Sequence, residues 1–133
     1  MQKTLTILLL SGYQENEDPV FAVGLAKAVL KAGYGVNLFL FGNASNMANK
    51  EKPLDGRLRM NERLRAHVES GKIGERLDEL AGMGAHIATC HTSEYGRGTE
   101  AEEYREGVKW GDVGETFTKF LLTSDVLLTL GHG

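Results

Sequence analysis

The stretch Leu5-Thr6-Ile7-Leu8-Leu9-Leu10 constrains the fold more than any other part of the chain. Its apolar residues run almost without a break, where a strand with one wet face would alternate polar and apolar side chains. A run of this kind reads as a strand buried on both faces, the condition of a central strand in a helix-covered parallel sheet. It is far shorter than the roughly 20 apolar residues needed to span a bilayer. Ser11-Gly12 ends it. After a polar stretch, Asp18-Pro19 reads as an N-cap followed by proline at the first helical position. Phe21, Gly24, Leu25, Ala28 and Val29 then recur at helical spacing, and Gly33 suits the turn that closes a helix. Val36-Asn37-Leu38-Phe39-Leu40-Phe41 predicts a second strand. Strand, helix and strand in succession make a βαβ unit, whose crossover is expected to be right-handed.

The rest of the chain repeats this alternation. Residues 42–55, with Asn43, Ser45, Asn46, Asn49 and Pro53, predict a long polar loop of the kind that goes with function or mobility. Met60, Leu64, His67 and Val68 predict a helix over 57–70, with many charges facing water. Ile73, Leu77, Leu80 and Ala81 make a further helical stripe, closed by Gly82 and Gly84. Residues 85–90 predict a third strand, 92–98 a polar loop, 99–105 a helical turn, and 107–110 a short extended piece. Phe117, Phe120 and Leu121 mark another amphipathic helix, and residues 126–130 a last strand. The expected architecture is α/β: a flavodoxin-like three-layer sandwich around a mostly parallel sheet. With 133 residues and no repeat or linker, one domain over 1–133 is expected.

Charge and cysteine usage narrow the function. A net charge of −3 offers no electrostatic case for nucleic acid or an anionic membrane. No small-residue cleavage site follows the first apolar run, so no signal peptide is expected. One cysteine makes neither an internal disulfide nor a Cys-rich zinc site, and the four histidines lack a ligand spacing. A reducing, cytoplasmic setting is expected, with no metal or organic cofactor. Neither a GxGxxG nor a Walker motif is present to hold phosphate.

Cys90 stands at the carboxyl end of the third strand, the edge where open α/β sheets bind ligands. It is either a small buried hydrophobe or a reactive thiol. A neighbouring cation favours the thiolate. His91 and Arg97 are the local candidates, and Arg97 keeps its charge at any working pH. Without a second cysteine no dithiol cycle is possible, but a lone thiolate can accept and pass on a sulfur atom. By residue type alone His91 and Arg97 are solvated surface groups, His86 is structural or at an interface, and Asn43, Ser45 and Asn46 form turns.

The sequence His86-Ile87-Ala88-Thr89-Cys90, followed seven residues later by Arg97-Gly98, resembles the DsrE/DsrF/TusD-like proteins of sulfur relay and sulfur oxidation. The closing stretch Thr123-Ser124-Asp125-Val126-Leu127-Leu128-Thr129-Leu130 is similar to the ending of that family. The stretch 42–55 with the two helical stripes before the third strand is longer than in the family's compact members, and His91-Thr92-Ser93-Glu94-Tyr95 is more polar than the residues after the cysteine in its sulfur-relay subunits. The resemblance implies a homo-oligomer, trimer or hexamer. It also implies a sulfurtransferase-like carrier that holds sulfur as a persulfide on Cys90 and exchanges it with a TusA-like or rhodanese-like carrier protein. Some members lack the cysteine and look like structural subunits. Two other readings therefore stand beside the carrier: a non-catalytic assembly subunit, and a small-molecule binder of flavodoxin type.

Overall fold

The computed structural model describes residues 2–12, 17–48, 73–96 and 104–131. Five strands form one sheet: β1 (Thr4–Leu9), β2 (Gly35–Leu40), β3 (His86–Cys90), β4 (Val108–Gly111) and β5 (Val126–Leu130). Their order is β4-β3-β2-β1-β5, and every neighbouring pair runs parallel. This is the α/β class, with helices on a parallel sheet, that the alternation of strand and helix patterns predicts.

The pleat sorts each strand's side chains onto two faces. One face carries Ile7, Leu9, Val36, Leu38, Leu40, Ile87 and Val108. It is covered by α1 (Asp18–Lys31) through Ala22, Val23 and Ala26, and by α2 (Ile73–Gly82) through Ile73, Leu77 and Leu80. Leu9, Leu38 and Leu40 have no exposed surface. Burying each such side chain contributes about 1.5–3 kcal/mol, which makes this face the main core. The other face is smaller: Phe39, Ala88 and Cys90, packed with Leu8, Phe117 and Phe120. Its cover comes from the connection between β4 and β5, a π-helical turn (Val113–Phe117) that runs into a short helix, α4 (Thr118–Leu122).

The far end of α4 is tied to this second face by polar groups. Asn37 Nδ2 donates to Thr6 Oγ1 and to Thr123 Oγ1, each at 3.2 Å. Thr6 and Ser124 share a hydroxyl–hydroxyl bond, and Thr123 Oγ1 donates to the Phe120 carbonyl at 3.1 Å. Asp125 then closes the β1–β5 seam: its carboxylate accepts from the Thr4 amide at 2.8 Å, and its own amide donates to the Thr4 carbonyl.

Three local expectations differ from the fold. Helix α1 starts at Asp18 itself, with Glu17 in the cap position and no side-chain cap bond. Asp18 still places its charge at the positive end of the helix, and Pro19 falls in the first turn, where no backbone donor is needed. The first part of the 42–55 loop is a 3-10 segment (Gly42–Met47). Ala44, Met47 and Ala48 are buried there, and Ser45 Oγ donates to the Gly42 carbonyl at 2.7 Å. The polar stretch after Cys90 is a helix, α3 (His91–Gly96). Ser93 docks it by accepting the Gly42 amide at 2.9 Å, a long-range contact that no local pattern announces. The remainder of 42–55, the helix expected over 57–70 and most of the turn expected over 99–105 lie outside the described residues. No helix among the described residues is long and apolar enough to cross a membrane.

Candidate functional site

Cys90 is the last residue of β3, and the register sets it beside Gly111 of β4. Alternation along β3 puts its side chain on the same face as Ala88, under the second, smaller core. The thiol is 1% exposed. It shares an apolar cluster with Phe39 and Ala88, against which Leu8, Phe117 and Phe120 pack. Phe39 meets Phe117 at 5.1 Å between ring centroids, tilted by 45°, and Phe120 at 6.2 Å in an edge-to-face arrangement.

The cover over this end of the sheet is held by a small hydrogen-bonded device. Asp112 Oδ1 accepts the amides of Glu115 at 2.7 Å and Thr116 at 3.1 Å. In return the Asp112 amide donates to Thr116 Oγ1 at 3.2 Å. These amides hold the Asp112 carboxylate below its ordinary pKa, with a smaller contribution from His91. Thr116 lies so close above Gly111 that a β-carbon there would sit 2.8–3.0 Å from its side-chain atoms. Only glycine beside Cys90 lets the turn settle onto the sheet. The sequence Asp112-Val113-Gly114-Glu115 carries the spacing of a helix-start signal, an acidic cap three residues before a glutamate. That signal locates the turn, though not what it covers.

His91 starts α3, and its ring stacks on Trp110 at 4.2 Å with an interplanar angle of 22°. His91 Nδ1 stands 2.9 Å from the Gly111 carbonyl. A carbonyl oxygen only accepts, so Nδ1 carries the hydrogen and Nε2 is left for other partners. Trp110 pairs in register with Thr89, so this stack belongs to the sheet face opposite the one that holds the Cys90 side chain. Arg97, the other expected supporting residue, lies outside the described residues. His86 opens β3 in an exposed position.

Sequence reasoning also passed over Glu94. It is fully buried four residues after Cys90, and its Oε2 accepts the Tyr104 hydroxyl at 2.7 Å. Tyr104 stands ten residues further on, and a lone glutamate in a polar stretch gives no sign of that pairing. Among the described residues no group of three or more His, Cys, Asp or Glu side chains is placed to hold a metal ion.

The model of the DsrE/DsrF-like family matches residues 3–130. No curated protein matches the chain. Among solved structures, the ychN protein of E. coli superposes with a TM-score of 0.74 at 24% identity, over 98% of this chain and all (100%) of that one. The protein of unknown function MTH1491 from Methanobacterium thermoautotrophicum gives 0.68 at 9% identity, over 98% and 100% of the two chains. The conserved protein of unknown function BT1422 from Bacteroides thetaiotaomicron gives 0.62 at 20%, over 96% and 95%. At these identities the likeness establishes a shared fold and nothing finer.

Proposed function

This chain belongs to the DsrE/DsrF-like family, and from that premise we propose that it is a sulfur carrier that holds sulfur as a persulfide on Cys90. The observation that carries the reading is the position of this thiol at the carboxyl end of β3, the ligand-binding edge of a parallel sheet. The Cys90 thiolate attacks the outer sulfur of a donor persulfide or polysulfide. A new sulfur–sulfur bond forms at Cys90, the donor's sulfur–sulfur bond breaks, and the electron pair leaves with the donor thiolate. An acceptor thiolate then repeats the attack on the outer sulfur and releases Cys90 as thiolate. The exchange is balanced without an oxidant or a metal.

Donor and acceptor are thiols of a TusA-like or rhodanese-like carrier protein, in a cytoplasmic setting. In this reading Arg97 favours the thiolate, while the His91 ring, stacked on Trp110 on the opposite face of the sheet, is placed away from it. The domain works as a homo-oligomer, a trimer or hexamer. Support for contacts between copies comes from the β5 edge, where Val126 and Leu127 are exposed beside Leu122, which is 81% exposed. A lone apolar edge strand is a surface that proteins ordinarily cover.

The test is intact-protein mass spectrometry after incubation with polysulfide, with Cys90→Ala alongside. The expected result is a gain of whole sulfur atoms in the parent only, reversed by a reductant. Loading of the Cys90→Ala variant would end the proposal. No loading of the parent, with Cys90 unreactive until the chain is unfolded, would favour the assembly-subunit reading, which the burial of the thiol supports.

A further inference from the structure

A thiolate that attacks a sulfur–sulfur bond needs an open line of approach to Sγ. Cys90 has none in the described fold: it is 1% exposed, and Phe117 and Phe120 pack against the cluster it shares with Phe39 and Ala88. This cover is not uniform. Phe120 belongs to α4, whose far end is bound to the sheet through Thr6, Asn37, Thr123 and Ser124. Phe117 ends the π-helical turn, and no residue of that turn is buried. A five-residue π turn is a locally weak and frequently functional element. Its described attachments at the entry are the reciprocal bonds between Asp112 and Glu115-Thr116, the Phe117 amide donating to the Asp112 carbonyl at 3.0 Å, and the contact of Thr116 with Gly111. Within the turn, Gly114 has open space around it: a β-carbon there would meet nothing within 4 Å.

We infer that Phe117 is the access residue of Cys90 and that the Asp112 carboxylate latches it, so that the turn Val113–Phe117 must swing off the sheet before sulfur is exchanged. The inference rests on Cys90 being the reacting group. Local opening of such a turn is far less costly than global unfolding, because most of the core lies on the other face of the sheet. The aromatic rings of Phe39 and Phe117 draw it shut again.

The experiment measures the rate at which iodoacetamide alkylates Cys90 in the folded full-length protein, read by intact mass, over a series of low urea concentrations. The parent is expected to react much more slowly than the unfolded chain, at a rate nearly independent of urea, the mark of local opening. Asp112→Ala is expected to raise the rate about fivefold, the effect of losing one cap on an opening equilibrium. Phe117→Ala is expected to raise it at least as much, and Phe117→Leu serves if the alanine variant does not fold. Leu77→Ala, on the opposite face, controls for global destabilisation.

The gate is overturned if both latch and cover variants react no faster than the parent. It is overturned equally if their rates rise only as far as their global stability falls, as in Leu77→Ala, or if the parent already reacts like the unfolded chain. The sulfur-loading measurement stands apart. Alkylation governed by Asp112 and Phe117 without any loading by polysulfide would keep the gate and remove the carrier. Loading by a parent whose Cys90 alkylates freely would do the reverse.

Discussion

Phe39 joins the two aromatic rings of the β4–β5 connection to the sheet, and its replacement offers a sharp test of what holds that cover down. The ring has no exposed surface and touches both Phe117 and Phe120. Phe39→Leu keeps an apolar side chain of nearly the same reach but removes two aromatic pairs. Each pair contributes about 0.5–1.5 kcal/mol beyond its area. A loss of about 2 kcal/mol is therefore expected for Phe39→Leu, and of about 4 kcal/mol for Phe39→Ala, which also leaves a cavity. A chain of this length is expected to have a stability of about 7–20 kcal/mol, so both variants remain folded. Urea unfolding followed by far-ultraviolet circular dichroism reads the loss as a lower midpoint at unchanged slope. A double-mutant cycle of Phe39→Leu with Phe117→Leu isolates the tilted pair, with an expected coupling of about 1 kcal/mol. If Phe39→Leu lost less than about 0.5 kcal/mol, or if the two changes added to within about 0.3 kcal/mol, the rings would not be what holds the turn to the sheet.

Two glycines with positive φ separate backbone strain from crowding. Gly84 (φ 100°) has open space where a β-carbon would go, so Gly84→Ala is expected to lose about 1–2 kcal/mol for conformation alone. Gly131 (φ 98°) faces Ser11 at close quarters, so Gly131→Ala should lower the urea midpoint distinctly further; equal losses would refute the crowding. The folded pKa of Asp112 lies below its unfolded value of about 3.9, so the latch is at full strength above that pH and is lost as pH falls through the depressed folded value. The amide resonances of Glu115 and Thr116 are expected to titrate together with a midpoint below about 3.9, and a midpoint at or above it would show that the carboxylate is not held by those amides. Leu127→Lys, which charges the exposed β5 edge, is expected to lower the mass seen in sedimentation if that edge joins copies of the chain; an unchanged mass would place the contacts elsewhere.

The strands and helices of the main core are legible because their residues repeat a single period. The nearly continuous apolar run at β1 and the 3.6-residue stripe of Ile73, Leu77 and Leu80 announce burial without any knowledge of partners. Strand order is not of that kind. Nothing in Val126–Leu130 says that it lies against β1 rather than β4, because the bonds between Asp125 and Thr4 that close this seam join residues 121 apart. The 3-10 segment and α3 hide for a related reason. Their buried residues, Ala44, Ser45, Ser93 and Glu94, are small or polar, and Ser93 finds its partner at Gly42, across the chain. At the candidate site the position of Cys90 at a strand end is legible from local pattern. The cover supplied by Phe117 is not, because it depends on a connection that crosses to the other face of the sheet. His91 is named correctly as a neighbour in sequence, yet its ring is claimed by Trp110 and the Gly111 carbonyl.

The order β4-β3-β2-β1-β5 also bears on how the chain reaches its fold in time. Four strands can be laid down in succession as the chain emerges, each beside the one before. The fifth must return to the first, and the bond between Thr4 and Asp125 spans 121 residues. Closing so long a loop is entropically slow, and folding rates fall as contacts of this kind come to dominate. During synthesis one margin of β1 therefore stays unsatisfied until nearly all of the described chain has left the ribosome. In that interval a hydrophobic strand with free amides is open to chaperones and to neighbouring nascent chains.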